Sequence, residues 1–232
     1  MEPLEPREPL ARLSTWMPGE APPEGHRAAL LRLAAALRDI TEALMDMDAP
    51  EADLIEAAEA SERFVERLEA TRTGHRSWGY GETSPSGNPR ALFDHSPLLG
   101  LANPVAPPLR LRIEEDGVVG TAVFGKRYEG PPGHVHGGLI AAAFDETLGM
   151  AQAMTGQPGM TGTLTIRYRH PTPLHTEVQF RASVDRVEGR KIFTSGTLHA
   201  GDILCAEAEG VFISVDFERL RTAMRGTDSP PG

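Results

Sequence analysis

The sequence predicts an α+β protein in which an antiparallel sheet of five or six strands packs on one long apolar helix. Three patterns indicate this fold. Apolar residues recur every three or four positions in the first third of the chain, as in helices. After residue 108 apolar and polar residues alternate, as in strands with one buried face. An apolar run that begins with His-Gly-Gly at residues 136–138 separates the first two strands from the rest. One helix on one sheet makes a two-layer domain.

Composition narrows the function classes. The 232 residues suffice for one large domain or a domain with an extension. A net charge of −10 argues against nucleic acid as a partner, because binding phosphates needs a basic face. No apolar run is long enough to predict a membrane span, and the proline-rich start lacks the apolar core of a signal peptide. A single cysteine, Cys205, lies in an apolar run, which favours core packing and a cytoplasmic location.

Two helices are predicted over residues 25–71, after an irregular, proline-rich lead-in at 1–24. Pro50 fits the first turn of the second helix. The short connection predicts an antiparallel helical hairpin whose helices pack on each other, with a stabilising or oligomerising role. The two apolar seams are formed by Leu30, Leu33, Leu37, Ile40, Leu44 and Met47, and by Leu54, Ala58, Ser61, Val65 and Leu68.

Residues 72–108 are predicted to be a Gly/Pro-rich linker. Trp78, Tyr80, Leu92 and Phe93 suggest that it is pinned to a surface, either over a pocket or as a packed connection. The sheet domain is assigned to 109–217 and a polar tail to 218–232. LRLRI and VVGTAVF form a hairpin that turns at Asp116–Gly117. Four further strands, TLTIRYRH, VQFRASVDRV, KIFTSGTLH and ILCAEAEGVFISV, end in a meander.

The central helix carries the functional signal. Its first glycines leave backbone N–H groups bare where the helix dipole is positive, which suits a polarised carbonyl oxygen. Asp145 lies nine residues after His136 inside the apolar run, where a buried acid is costly without a partner or a role. On this pattern alone, a core helix with a satisfied Asp145 is equally compatible.

The order of elements, with HGG opening the central helix, resembles the hotdog fold of the 4-hydroxybenzoyl-CoA thioesterase superfamily, and most closely its PaaI-like acyl-CoA thioesterases. The resemblance covers about residues 95–216 and rests on YEGPPGHVHGGLIAAAFDE and the strand after it. It implies a sheet curled around the helix, two chains paired through their sheets, hydrolysis of acyl-CoA in lipid metabolism, and no cofactor.

The resemblance also implies the site. Asp145 is the implied catalytic carboxylate, the N–H of Gly137, with Gly138, polarises the thioester carbonyl, and Thr161 is the hydroxyl beside the acid. Some relatives have Glu at the acid position with Thr one turn later, but here that later position is Gly149. Others have Asn before the HGG; this chain has residues 130–132, Gly-Pro-Pro, and His134 is the alternative for that role.

Helix geometry then predicts a dimer. Gly137 and Asp145 are separated by eight residues, or about 12 Å along one helix, so both cannot contact one thioester carbon within one chain. A twofold dimer, or a dimer of dimers, would bring Gly137 of one chain near Asp145 of the other, in two shared sites. Asp145 can be a nucleophile or a general base on water.

Other residues are assigned by position. Glu146 competes with Asp145 but is favoured as a solvated or ion-paired residue near substrate, and His136 is favoured as a helix cap. A metal site at His134, His136 and Asp145 is disfavoured because a third clear ligand is missing. The phosphates of CoA need cations. Beside Tyr168, the candidates at the pocket mouth are Arg167, Arg169, His170, Pro171, Arg186, Arg190 and Lys191.

Two rival functions stay open. A hotdog hydratase or dehydratase would pair an acid with His134 or His136. A non-catalytic acyl-CoA-binding regulator would suit the helical extension. A serine hydrolase is disfavoured because the chain has no G-x-S-x-G motif.

Overall fold

The structure, a computed structural model, describes residues 24–71, 94–157 and 159–215. The predicted lead-in, the tail and the aromatic residues at 78, 80, 92 and 93 lie outside these ranges. The elements are α1 (Gly25–Leu44), α2 (Glu51–Ala70), β1 (Arg110–Glu114), β2 (Gly117–Val123), a 3-10 helix (Lys126–Tyr128), α3 (Gly137–Ala153), β3 (Gly159–Tyr168), β4 (Glu177–Glu188), β5 (Lys191–Ala200) and β6 (Ile203–Ser214).

The six strands form one antiparallel sheet in the order β1-β2-β4-β5-β6-β3. The predicted meander is confirmed for β4, β5 and β6. Its two turns use Gly189 and Gly201, whose φ angles of 60° and 57° suit glycine. The position of β3 was not predicted: it pairs with β6 at the far edge of the sheet. The central helix therefore carries the chain from β2, next to one edge of the sheet, to β3 at the other edge.

The first hairpin is confirmed, but its turn was placed one residue late. Glu114 pairs with Gly117, so the turn residues are Glu115 and Asp116. Gly117 instead allows the neighbouring strand β4 to approach closely. A Cβ at this position would lie 2.3 Å from the carbonyl oxygen of Ala182 on β4. The glycine is needed for this close approach rather than for the turn.

The core lies between α3 and one face of the sheet. Phe144 and Leu148 of α3 are fully buried, and the Phe144 ring meets Phe180 edge-on with centroids 5.2 Å apart. Gly196 and Gly210 leave room for Leu148, because a Cβ on either would lie 3.3 Å from its methyl carbons. Fully burying a side chain of this size contributes about 2 kcal/mol. This packing fixes the rotation of α3 and thus the direction of its polar residues.

α1 docks on the domain through the segment before β1. The Arg38 guanidinium donates to the carbonyl oxygens of Gly100, Leu101 and Asn103 at 3.0, 2.6 and 2.9 Å, and Arg27 pairs with Asp94 at 2.7 Å. The end of the predicted linker, residues 94–108, is therefore a folded part of the domain. Its buried residues include Leu99, Ala102 and Ala106.

Both predicted N-terminal helices are confirmed. Pro50 lies just before α2, at the N-cap rather than inside the first turn. Within α2 no residue is buried, so the expected packing on α1 does not bury its apolar seam. No helix within the described ranges has the apolar length needed to cross a membrane.

Candidate active site

His136 caps the N-terminus of α3. Its Nδ1 accepts a hydrogen bond from the Gly138 N–H at 3.0 Å, and its carbonyl oxygen accepts from the N–H groups of Leu139 and Ile140. Gly130 makes room for this cap, because a Cβ there would lie 2.8 Å from the Cα of His136. The helix start is therefore rigid, and the Gly138 N–H is occupied. The expectation that Gly138 joins the oxyanion site does not fit this geometry.

Gly137 presents the open donor. Its N–H has no acceptor among the described residues. Its carbonyl oxygen accepts from the Tyr168 hydroxyl at 2.7 Å. Both ends of the peptide between Gly137 and Gly138 are thus held by side chains, from His136 and Tyr168. Sequence reasoning placed Tyr168 near substrate but did not predict this contact, since it joins residues 31 positions apart.

Asp145 lies half-buried two turns along α3. Its Oδ1 accepts from the Thr161 hydroxyl at 2.7 Å. Thr161 stands on β3 where the pairing with β6 slips by one residue. A bulge of this kind re-aims a side chain. The structure therefore brings together the acid and the hydroxyl that the family resemblance nominated.

Glu146 differs from the expected solvated or ion-paired residue. It is half-buried, and no described cation forms a salt bridge with it. Burial raises the pKa of its carboxyl to about 7, and the neighbouring charge of Asp145 raises it further. Two adjacent acids on α3 thus have different environments, one held by a hydroxyl and one desolvated.

The candidate CoA cations divide by position. Arg167 and Arg169 alternate with Tyr168, so they face the side of the sheet away from α3. They pair with Glu209 and Glu207 at 2.5 and 2.6 Å. Arg186 pairs with Glu188 at 2.6 Å and stacks on Phe193.

The other three candidate cations form no salt bridge with a described acid. Arg190 donates to the Ser214 carbonyl at 3.0 Å, and the His170 ring lies 2.8 Å from the Leu204 carbonyl. Lys191 has no ion pair with any described residue and is exposed. Pro171 follows His170 at an exposed position, and its carbonyl lies 4.0 Å from the Cys205 sulfur.

His134 and His136 do not converge on Asp145. His134 Nδ1 lies 2.8 Å from the Pro132 carbonyl, and His136 Nδ1 serves the helix cap. Among the described residues no group of three His, Cys, Asp or Glu side chains could hold a metal ion.

A cavity of about 400 Å³ lies on the opposite face of the sheet, away from α3. Its polar lining includes Arg167, Arg181, Ser183, Ser195, Thr197 and Glu209. It contains neither Asp145 nor Gly137, so it is separate from the geometry described above.

Comparisons with known proteins agree with this architecture. Residues 132–207 match the family model described as the thioesterase superfamily. The crystal structure of the thioesterase superfamily protein RHA08564 is 34% identical, with a TM-score of 0.71, over 84% of this chain and 94% of that one.

Two curated relatives match a shorter region. The acyl-coenzyme A thioesterase THEM4 of Xenopus laevis is 40% identical over 93 residues, which are 39% of this chain and 42% of that protein. The human acyl-coenzyme A thioesterase THEM5 is 33% identical over 96 residues, 40% of this chain and 39% of that protein. The chain spans about two fifths of the length of these relatives. The match over nearly all of the crystallised protein, together with the family model, shows that this chain belongs to the thioesterase superfamily and has its hotdog fold.

Proposed function

We propose that this protein is an acyl-CoA thioesterase of the PaaI-like type, which hydrolyses acyl-CoA to a free acid and CoA in the metabolism of lipids. The observation that carries the proposal is the pairing of two features on α3. Asp145 is held by Thr161 at 2.7 Å, and the Gly137 N–H is an open donor at a rigid helix start. The names of the relatives, acyl-coenzyme A thioesterases, support the substrate class.

Asp145 can act in two ways on a thioester. As a nucleophile, its oxygen bonds to the carbonyl carbon, the carbon–sulfur bond breaks, and the CoA thiolate takes a proton from solvent; water then hydrolyses the mixed anhydride. As a base, it takes a proton from water while the water oxygen bonds to the same carbon and the thiolate leaves. In both routes the Thr161 bond leaves the other carboxylate oxygen of Asp145 available.

The Gly137 N–H is suited to stabilise the negative oxygen that forms in either route. It has no acceptor among the described residues, it lies at the positive end of the α3 dipole, and its peptide neighbours are fixed before substrate arrives. A preorganised donor of this kind typically contributes about 10²- to 10³-fold in kcat.

The two features require a second chain. They lie about 12 Å apart along α3, which is too far for one carbonyl group. The contacts that hold them, from Tyr168 and Thr161, both come from β3. β3 is an edge strand of the sheet, and an open edge is a ready surface for pairing. A twofold dimer formed there would place Gly137 of one copy beside Asp145 of its partner.

Coenzyme A adds phosphates that need cations at the mouth of the site. Lys191, Arg190 and His170 are our candidates, because no acid among the described residues forms a salt bridge with them. Arg167, Arg169 and Arg186 are already paired with glutamates. The buried free thiol of Cys205 suits a reducing, cytoplasmic compartment.

The test is thiol release from a panel of acyl-CoA esters, from short to long and including aryl thioesters. Wild type is expected to release thiol from at least one ester, and Asp145→Ala to lose at least about 10²-fold of that rate. Asp185→Ala is the matched control and should keep full activity, because Asp185 is exposed and accepts a hydrogen bond from Ser195 on the face of the sheet away from α3. Equal rates for wild type and Asp145→Ala would contradict the proposal, and binding without turnover would favour an acyl-CoA-binding regulator.

A further inference from the structure

The N-terminal helices expose an unusual share of the apolar surface. Fourteen large apolar side chains of the described residues are exposed, and eight of them fall within residues 40–68. Exposed apolar surface beyond isolated single residues is typical of interaction sites. The eight are Ile40, Leu44, Met45, Met47, Leu54, Ile55, Val65 and Leu68.

α1 shows which of its faces is already used. Ala34 is buried, Arg27 and Arg38 bond to the segment before β1, and the Glu42 carboxylate accepts from backbone N–H groups of the 3-10 helix. At 3.6 residues per turn, Ile40 and Leu44 lie about a third of a turn round the helix from these positions, and they are 53% and 52% exposed. Because α1 docks by this face, the C-terminal half of its apolar seam points away from the domain.

Of the two helices, α2 more clearly lacks a packing partner. In proteins most of the stability of a helix comes from packing of an amphipathic face, yet none of the 20 residues of α2 is buried. Leu54, Val65 and Leu68 lie on one side of α2 and are 42%, 52% and 41% exposed. The charged residues of the helix lie mostly on the other side. The helix thus has an apolar face that nothing in the described chain covers.

The two seams match each other. From Leu44 back to Leu30, the α1 seam has spacings of four, three, four and three residues. From Leu54 forward to Leu68, the α2 seam has the same spacings. In antiparallel packing every seam residue of α1 therefore meets one of α2, as knobs-into-holes packing requires. Leu44 meets Leu54, and Ile40 meets Ala58.

The two seams do not pack on each other within the described chain, since Ile40, Leu44 and the whole α2 seam are exposed. The chain segments on either side of α2 are long enough for α2 to pack on another molecule. Residues 72–93 separate α2 from Asp94, where the chain is anchored to Arg27. These 22 residues can span up to about 70 Å. On its other side α2 is joined to α1 by residues 45–50, which can span about 20 Å. α2 can therefore reach the α1 of a second copy that lies beside this one while the domain stays intact.

We propose that two copies of this chain exchange their second helices, so that α2 of each copy packs antiparallel on the α1 seam of the other. The occupant is a second copy, because its α1 offers the matching seam, whereas no residue of α2 is buried against the α1 of its own chain. Such exchange of an identical element gives a closed, twofold contact. This contact is independent of the thioesterase proposal, because it involves neither Asp145 nor Gly137.

The test is disulfide capture with the full chain. One preparation carries Ile40→Cys and the other Ala58→Cys, with a mass tag on one of them. Both positions are exposed, and the native Cys205 is fully buried. After the two are refolded together and oxidised, we expect a 40–58 disulfide between tagged and untagged chains. Ala60→Cys replaces Ala58→Cys as the control, because residue 60 lies on the outer side of α2, and it should give no bond.

Two further measurements decide the outcome. A chain that carries both cysteines and forms only a disulfide within itself would overturn the proposal in favour of a closed hairpin. Absence of any 40–58 disulfide would also overturn it. Val65→Asp should abolish the bond between chains without lowering the unfolding temperature of the domain, since α2 buries nothing there. Ala60→Asp, with the same added charge, should leave the bond intact.

Discussion

The start and the middle of α3 use β3 in different ways. At the start, Tyr168 donates to the carbonyl of Gly137, whose own N–H has no acceptor among the described residues. In the middle, Thr161 donates to the carboxylate of Asp145. The start of the helix thus offers a hydrogen-bond donor at its positive pole, and the middle offers a carboxylate. A single edge strand supports both, so any chain that pairs with this edge would meet both half-sites.

Loss of the Thr161 hydrogen bond to Asp145 should lower activity more than loss of the Tyr168 hydrogen bond to Gly137. Thr161→Val keeps the shape of the side chain but removes the hydroxyl donor to Asp145. A hydrogen bond to a charged group contributes about 1.5–3 kcal/mol, so we expect kcat/KM for a good acyl-CoA to fall about 10- to 100-fold. Thr161→Ser keeps the hydroxyl and should retain most activity. Equal losses in the two variants would mean that packing, not the hydroxyl, supports Asp145.

This contact also shows what could be read from the sequence. The strands, the helix and the position of Asp145 follow from periodicity and from the cost of a buried acid. The nearness of Thr161 does not, because it depends on β3 crossing to the far edge beside β6 and on a slip in the pairing at residue 161. Only the family resemblance nominated it.

Two details could not be read from local patterns. Gly117 looked like a turn residue, but it is a glycine because the Ala182 carbonyl approaches it across the sheet. The two N-terminal helices were predicted correctly, but the spacing of their seams does not determine whether they bury each other, and no residue of α2 is buried. Local patterns thus predict elements well, whereas contacts between distant residues depend on the path of the chain.

Loss of the Tyr168 hydrogen bond to the Gly137 carbonyl should lower activity less strongly. Tyr168→Phe removes a hydroxyl that holds the Gly137 carbonyl, one peptide after the Gly137 N–H, and a neutral hydrogen bond contributes about 0.5–1.5 kcal/mol. We expect kcat to fall about 3- to 10-fold while KM stays nearly constant, because the donor acts on the reacting oxygen. Tyr128→Phe is the control: its hydroxyl bonds the Ala106 carbonyl in the core, so it should lower the unfolding temperature and not kcat. A Tyr168→Phe enzyme with unchanged kcat would show that the helix cap alone holds Gly137.

Glu146 should affect stability more than rate. In the folded chain its pKa is about 7, raised from an ordinary value of 4.5. The folded chain therefore keeps this proton while the unfolded chain loses it, so the stability of the fold falls as pH rises from 4.5 to 7. Glu146→Gln removes this penalty. Its unfolding temperature should exceed that of wild type at pH 8 and match it near pH 4. An equal difference at both pH values would contradict the raised pKa.

The central claim, that each site takes Gly137 from one copy and Asp145 from the other, is tested most directly by mixing two inactive variants. Asp145→Ala removes the carboxylate. Gly137→Pro removes the N–H at the first position of α3, where proline fits a helix, and should lose about 10²-fold. When the two variants are refolded together in equal amounts, half of the dimers contain one chain of each variant. Each of these mixed dimers holds one intact site out of two. The shared site predicts recovery of about one quarter of the wild-type rate of thiol release. Activity no higher than that of the separate variants would contradict it.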